Sequence, residues 1–273
     1  MTPPTLSARG LVAGYGAAPV LQGIDLDIAP GKITVIVGAN ACGKSTLLRA
    51  LARLLPLRAG RVTFDGTDLH RIAPRRLARR LGFLPQTPIA PEGITVLDLV
   101  SRGRHPHQGL FSRWSPADAA AVARALDVTD TAALAGRDLA ALSGGQRQRV
   151  WIAMALAQQT EVLLLDEPTT FLDINHQIEV LDLLADLNRR RGTSVVMVLH
   201  DLNLAARYAD VLVAMRAGRL HDQGPPGAVL SAANIRALFG LDSTILPDPV
   251  SGRPMMIPHG RQTGQMGQGL AHG

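Results

Sequence analysis

The sequence has one cysteine, two lysines and few aromatic residues, and these scarcities narrow the class of protein. The single cysteine, Cys42, excludes an internal disulfide framework. Aromatic residues make up 3% of the chain, so the basic stretch at 70–80 lacks the stacking platform typical of a nucleic-acid interface, and we expect no nucleic-acid partner. No apolar run approaches the roughly 18 residues that span a bilayer. The start, MTPPTLSARG, lacks the features of a secretory signal, and we therefore expect a cytosolic protein.

The chain contains enough apolar residues for a core, and they occur in predicted strands and helices that alternate along the sequence. Of its 273 residues, 47% are apolar and 18% are charged. Short strand-like segments fill the first thirty residues, and strands then alternate with helices from KITVIV at 32–37 onward. A mostly helical section at about 89–160 interrupts this alternation, and a glycine- and glutamine-rich tail at 258–273 is expected to be disordered. The pattern predicts an α/β fold with a parallel sheet covered by helices.

A glycine-rich loop carries the strongest motif of the chain. GANACGKS at 38–45 fits the pattern G-x-x-x-x-G-K-[ST], placed between a predicted strand and a predicted helix. The glycines let backbone N–H groups approach phosphate oxygens, Lys44 supplies a positive charge at the β- and γ-phosphates, and Ser45 offers a hydroxyl to Mg²⁺. The candidate ATP-binding residues are Gly38, Ala39, Asn40, Ala41, Cys42, Gly43, Lys44, Ser45 and Thr46.

Two carboxylates end a predicted buried strand. The segment VLLLDEP at 162–168 reads as a parallel strand, and open α/β sheets bind ligands at the carboxyl ends of their strands. Asp166 is therefore expected to face the metal of the nucleotide, directly or through water. Glu167, one residue further, is placed to polarise the attacking water as a general base.

Two more polar residues follow predicted strands and are expected at the same sheet edge. His200 ends SVVMVLH and could sense or stabilise a γ-phosphate, although a lone histidine after a strand is usually a turn residue. Gln86 follows LGFLP and has the same standing. Only their occurrence together with the glycine loop and the two carboxylates favours a functional role for these two residues over a structural one.

The segment LSGGQRQR at 142–149 looks like a second anion site. It places two glycines before a predicted helix, where N–H groups and the positive end of the helix dipole converge. Either the chain binds two nucleotides, or this segment serves a nucleotide that another chain holds.

At this point the sequence resembles a known family, the ATP-binding subunits of ABC transporters. The glycine loop, FLPQ, LSGGQRQR, LLLDEP, LD at 172–173 and VLHD at 198–201 occur in the order and spacing of that family. The resemblance covers about residues 5–257, and LSGGQ is its most specific element.

The resemblance implies a P-loop ATPase core with a mostly parallel sheet, an N-terminal antiparallel β subdomain and the helical section at about 89–160 as an inserted subdomain, within a single domain at 1–257. It implies ATP and Mg²⁺ as cofactors and adenine stacking by Tyr15. It further implies that Gln86 is the Q-loop residue and holds Mg²⁺ together with Ser45 and Asp166. Asp173 would be the D-loop residue and His200 the switch histidine.

The resemblance also answers the question of the second anion site. It implies that the signature of one chain closes over the ATP on the loop of a second copy, in a head-to-tail dimer. The signature residues are Ser143, Gly144, Gly145 and Gln146. Two transmembrane permease subunits and, indirectly, a substrate-binding protein complete the implied assembly, with this subunit peripheral at the cytoplasmic face of the inner membrane.

A narrower likeness concerns the cargo. The segments at 101–114, 171–184, 198–210 and 238–258 are similar to those of iron–siderophore importer ATPases, so we expect ATP hydrolysis that powers iron-chelate import. Haem and vitamin B12 importer subunits are similar too and remain alternatives. A soluble ABC ATPase outside transport is less favoured, because the chain has one cassette, no heptads and no CxxC motif. We do not interpret the HPH at 105–107 as an iron site, because it lacks further ligands nearby.

Two residues of the glycine loop depart from the family pattern. Ala41 stands where the family usually has glycine, and we expect the loop to keep backbone angles that an alanine can adopt. Cys42 lies near a predicted helix N-terminus, where a thiolate is favoured, but we interpret it as a small packing residue.

Overall fold

Three sheets organise the part of the chain that the structure, a computed structural model, describes, namely residues 4–109, 114–170 and 172–260. The largest sheet has six strands in the order β10-β9-β3-β8-β7-β6, a second has four in the order β2-β1-β4-β5, and β11 pairs with β12. The strands in this part of the chain are β1 Leu6–Ala13, β2 Leu21–Ile28, β3 Ile33–Gly38, β4 Leu57–Phe64, β5 Thr67–Asp68, β6 Leu81–Leu84, β7 Val162–Leu165, β8 Ser194–Val198, β9 Val211–Arg216, β10 Arg219–Gly224, β11 Ser243–Pro247 and β12 Pro254–Pro258.

The six-stranded sheet is parallel from β9 to β6, and only the edge strand β10 runs antiparallel to its neighbour. The four-stranded sheet is antiparallel throughout. The predicted α/β fold, with a mostly parallel sheet and an N-terminal antiparallel β section, is therefore confirmed.

Helices cover the large sheet on both faces, and three of them lie between β6 and β7. The α-helices of the described residues are α1 Lys44–Leu51, α2 Pro74–Ala78, α3 Val96–Arg102, α4 Pro116–Val128, α5 Gly144–Ala157, α6 Ile174–Arg191, α7 Leu202–Tyr208, α8 Pro226–Val229 and α9 Ala232–Phe239. None of these combines the length and the apolar composition that crossing a bilayer requires.

The strand β7 shows why the central strands read as unbroken apolar runs. Leu163 and Leu165 join the apolar cluster that contains α3, α4, α5 and α6. Val162 and Leu164 point the other way, into the cluster with α1 and the four-stranded sheet. Because successive side chains of a strand point to opposite faces and both faces are covered, all four side chains are buried.

The carboxyl-terminal part of the chain differs from the prediction. The hairpin β11–β12 includes Pro258, and the backbone N–H of His259 donates to the carbonyl of Asp242 at 2.8 Å. The predicted start of a disordered tail at 258 is therefore too early by at least two residues. Residues 261–273 of that predicted tail lie outside the described residues.

Candidate active site

Parallel pairing in register aligns the ends of four strands at one edge of the large sheet. Leu84 of β6 pairs with Leu165 of β7, Leu165 pairs with Met197 of β8, and Ile36 of β3 pairs with Val198 of β8. The segments that follow these strands therefore emerge together. This geometry brings the glycine loop, Gln86, the Asp166–Glu167 pair and His200 to one place, as the sequence predicted.

The glycine loop follows β3 and depends on two of its glycines. Gly38 has a φ of +150° and Gly43 a φ of +103°. A Cβ added at Gly38 would lie 2.3 Å from the carbonyl oxygen of Met215, so only glycine fits there. The Lys44 ammonium is buried and donates to the carbonyl oxygens of Gly38 at 2.9 Å and Ala39 at 3.0 Å. The loop thus wraps around its own lysine and holds that charge inside the cavity.

Ala41 adopts a φ of +59°, in the left-handed region. An alanine can take these angles, as we expected, but at a cost of roughly 1 kcal/mol relative to the right-handed conformation. The loop therefore keeps a glycine-type backbone at a residue that is not glycine.

Cys42 is buried against the core instead of facing the loop interior. It is 5% exposed and belongs to the apolar cluster of Ile36 and Leu47. Burial raises the pKa of its thiol, and the charge of Lys44 only partly opposes this. The helix start therefore does not favour a thiolate here, and a contact of Cys42 with phosphate would have to come from its backbone.

Ser45 and Asp166 form a hydrogen-bonded pair next to the glycine loop. The Ser45 hydroxyl donates to Oδ1 of Asp166 at 2.7 Å. Asp166 is 1% exposed, and burial raises the pKa of its carboxyl group. Its Oδ2 atom is buried with no hydrogen-bond partner among the described residues. A buried carboxylate oxygen without a partner, beside a hydroxyl at the end of the phosphate loop, fits a hard divalent cation such as Mg²⁺.

Glu167 lies at the centre of a small polar cluster. Its Oε2 accepts from Gln86 Nε2 at 2.5 Å and from Thr170 Oγ1 at 2.9 Å, and its Oε1 lies 2.6 Å from His200 Nε2. Glu167 is 9% exposed and has a φ of +53°, an uncommon conformation that points its side chain into the cavity. The predicted catalytic residues Gln86, Glu167 and His200 are thus in direct contact. The amide nitrogen of Gln86 is engaged with Glu167, and among the described residues its side chain makes no hydrogen bond to Asp166 or Ser45.

Thr170 is the member of this cluster that sequence reasoning missed. It stands in the segment PTT immediately after the acid pair, three residues beyond Glu167. A hydroxyl three residues after an acid at a turn is a recognisable pattern for local hydrogen bonding, and that pattern could have identified it.

The loop and the cluster enclose an open cavity of about 510 Å³. Tyr15 is 59% exposed and is not among the residues that line this cavity; its hydroxyl accepts from the Arg49 guanidinium at 3.1 Å. The lining residues are Val20, Asn40, Ala41, Gly43, Lys44, Ser45, Thr46, Gln86, Glu167 and His200.

The signature segment 143–146 is not part of this cavity. Ser143 caps α5: its hydroxyl accepts from the N–H of Gln146 at 3.3 Å, and the Gln146 amide oxygen accepts from the N–H of Ser143 at 3.2 Å. Gly144 is exposed, with open space where a Cβ would be. None of the four signature residues lines the cavity that contains Lys44. Within one chain the two predicted anion sites are therefore separate.

Gly145 and Asp173 are linked through a residue that the sequence did not single out. Asp173 caps α6, and its Oδ1 accepts from the backbone N–H of His176 at 2.9 Å and from the ring nitrogen Nδ1 at 2.7 Å. The same imidazole ring lies against Gly145, where an added Cβ would be 2.8 Å from its Cδ2 atom. The signature and the D-loop of one chain are thus in contact.

The histidines of the HPH segment do not assemble a metal site. His107 Nε2 lies 2.8 Å from the carbonyl oxygen of Gln158, and burial lowers the pKa of this histidine. Among the described residues there is no group of three or more His, Cys, Asp and Glu side chains arranged to hold a metal ion.

Comparison with known proteins places this site in a family. The ABC transporter family profile matches residues 21–170. The achromobactin transport ATP-binding protein of Dickeya dadantii is 52% identical, over 95% of this chain and 97% of that protein. The ferric enterobactin transport ATP-binding protein of Escherichia coli is 48% identical, over 96% of this chain and 97% of that protein. A solved metal-chelate type ABC transporter in an inward-facing conformation superposes with a TM-score of 0.81 and 31% identity, over 94% of this chain and 98% of that chain.

Proposed function

This chain belongs to the ATP-binding subunits of ABC transporters, and from that membership we propose that it powers the import of an iron–siderophore complex through separate transmembrane subunits. Proteins of this family bind ATP and work as dimers with permease subunits. The observation that carries the proposal is the cavity itself, which is lined by residues of the glycine loop and by Glu167, with Asp166 hydrogen-bonded to its lining residue Ser45. The iron-chelate cargo is supported by the names of the similar proteins.

In the proposed reaction, the residues that line the cavity and those beside it have separate tasks. The loop N–H groups and Lys44 bind the β- and γ-phosphates, and Tyr15 stacks on adenine after moving over the nucleotide. Glu167 accepts the proton of the attacking water. His200 and Thr170 hold the two oxygens of that carboxylate, so the base is fixed in orientation.

Mg²⁺ is the cation we propose for this site, held by Ser45 and Asp166, with Gln86 as a further ligand once its amide leaves Glu167. When bound, Mg²⁺ neutralises charge on the phosphate oxygens. The unpartnered Oδ2 atom of Asp166 supports this assignment.

We further propose that two chains meet head to tail, so that the signature of each completes the cavity of the other. Gly144 is exposed and lies at the start of α5, which supports this arrangement. The backbone N–H groups at this helix start can reach a phosphate of the ATP that the other chain binds. The subunit then lies at the cytoplasmic face of the inner membrane, where two permease subunits contact it near Gln86. A substrate-binding protein takes part only indirectly, by delivering the cargo to the permease.

Reconstitution tests the cargo. The chain would be assembled with its cognate permease in proteoliposomes containing ATP, and uptake of a ferric siderophore, haem and cobalamin would be compared. We expect ATP-dependent uptake of the iron chelate and little of the other two. Uptake of cobalamin or haem alone would show that the cargo is that compound and not an iron–siderophore complex. ATPase activity that no permease stimulates would favour a function outside transport.

A further inference from the structure

We propose that His176 is a positioning residue that joins the signature and the D-loop of one chain into a single unit, which acts on the ATP held by the partner chain. This inference rests on the proposed shared site. It concerns a side chain that is not among the residues lining the cavity.

The first contact is polar. Asp173 accepts two hydrogen bonds from His176, one from the backbone and one from the ring at 2.7 Å. These bonds, the backbone one foremost, lower the pKa of Asp173, so its carboxylate is ionised at neutral pH. Because a carboxylate accepts only, Nδ1 of the ring is the donor in this bond. The ring nitrogen therefore sets the direction of the Asp173 side chain.

The second contact is steric. A Cβ at Gly145 would lie 2.8 Å from Cδ2, 2.9 Å from Cγ and 3.1 Å from Nε2 of the His176 ring. A flat face of the ring thus covers the α-carbon of Gly145. By contrast, nothing lies within 4 Å of a Cβ at Gly144. Of the two signature glycines, one is free to face a ligand and the other is fixed against His176.

Other bonds hold the flanks of these two segments in place when the ring is removed. Gln148 of α5 donates to the carbonyl oxygen of Pro168 at 2.8 Å, and Gln177 of α6 donates to the carbonyl oxygen of Leu172 at 2.9 Å. His176 is also about one-third exposed, so its loss opens no core cavity. Removing the ring should therefore loosen the geometry of the two segments without unfolding them.

A set of four variants separates the two contacts. His176→Ala removes both, His176→Asn keeps a donor near the position of Nδ1, and His176→Phe keeps a ring against Gly145. His70→Ala, an exposed histidine far from this cluster in sequence, is the control. With assembled transporter, we expect His176→Ala to lower kcat about fivefold to tenfold, the other two variants to lie between, and the control to match wild type.

The ATP affinity of the isolated chain distinguishes this role from a merely structural one. It should stay within about twofold of wild type in all four variants, because the phosphate loop is untouched. An unchanged kcat in His176→Ala, or a fall in ATP affinity and thermal stability parallel to the fall in kcat, would overturn the proposal.

Mixed dimers show which nucleotide His176 serves. One chain carries Lys44→Ala and the other Ser143→Arg, so a single composite site remains, formed by the loop of the second chain and the signature of the first. Adding His176→Ala to the first chain should lower the remaining activity as in the homodimer, and adding it to the second should have little effect. Equal effects from both chains would overturn the proposal. No activity even with His176 intact would instead count against the shared site itself.

Discussion

The chain has two glycine-rich segments next to helix starts, the loop at 38–43 and the signature at 143–146, and they differ in almost every physical respect. The loop is enclosed: Lys44 is 5% exposed, Asp166 is 1% exposed and Glu167 is 9% exposed. The signature offers an exposed Ser143 and Gly144 and no catalytic side chain. One segment therefore has the groups for chemistry and the other has only a helix terminus, which is what two halves of a shared site require.

Backbone strain follows the same division. Gly38, Ala41, Gly43 and Glu167 all have positive φ values, whereas none of the four signature residues does. Of these residues, Ala41 and Glu167 are not glycine and are therefore strained, and strained residues cluster where surrounding contacts fix a functional geometry. The cavity is thus preorganised within one chain, while the signature depends on its cap and on His176.

The largest expected effect is on the rate of ATP hydrolysis, and it is separate from any effect on ATP binding in the cavity. Glu167→Gln keeps the shape of the side chain but removes the base, so kcat should fall by about 10²–10⁴-fold while ATP affinity changes little. Phosphate release measures the first and equilibrium binding the second. A fully active variant would remove Glu167 from the role of base.

The next effect tests whether the loop binds phosphate through its lysine. Lys44→Ala should weaken ATP binding about 100-fold, because it removes a buried charge from the phosphates. Lys32→Ala is the matched control: Lys32 is the only other lysine of the chain, its side chain is 56% exposed, and it lies 3.8 Å from Asp210. Equal ATP affinity in wild type and the Lys44 variant would contradict the phosphate-loop assignment.

A smaller effect concerns the cost of burying Asp166. Burial raises the pKa of this carboxyl group, so its charged form destabilises the nucleotide-free fold, and that cost appears as pH rises through the folded pKa. Asp166→Asn should therefore raise the melting temperature by about 2–4 °C at pH 7 and by less near pH 4, while Mg²⁺-dependent ATP binding is lost.

Thermal unfolding at the two pH values measures this, with Glu92→Gln as an exposed control. A lower melting temperature for the Asp166 variant at pH 7 would show that the Ser45 hydrogen bond and the nearby positive charges stabilise the carboxylate by more than its burial costs.

The smallest effect tests the strain at Ala41. Ala41→Gly should stabilise the chain by about 0.5–1 kcal/mol, because glycine adopts a φ of +59° without a Cβ clash and this gain exceeds its extra entropy in the unfolded chain. Ala39→Gly, at a residue without positive φ in the same loop, should be neutral or destabilising. If both variants changed stability by the same amount, the left-handed conformation would have no measurable cost.

The sequence predicted which residues form the cavity better than it predicted the contacts that support them. The buried runs ITVIV and VLLL and the residues after them specify parallel strands that end together, which is why Lys44, Glu167 and His200 were found. The contact of Thr170 with Glu167 is local and could have been found from its three-residue spacing. The contact of His176 with Gly145 depends on how distant segments return in space, and no local pattern fixes that.

The strands after α7 were missed for a different reason. VLVAMR at 211–216 is an apolar run bounded by a turn at Ala217 and Gly218, so β9 could have been found by the same rule that identified β7. The hairpin β11–β12 contains three prolines among its ten residues, and proline masks a strand pattern in sequence.

The central claim is that each ATP is enclosed by two chains, and mixed dimers in the Glu167→Gln background test it most directly. Differently tagged chains carrying Lys44→Ala or Ser143→Arg are co-expressed, and the ATP that remains bound after dilution is counted. We predict none in either homodimer and one per mixed dimer, since only there does an intact loop face an intact signature. No retained ATP in the mixed dimer would contradict the shared site.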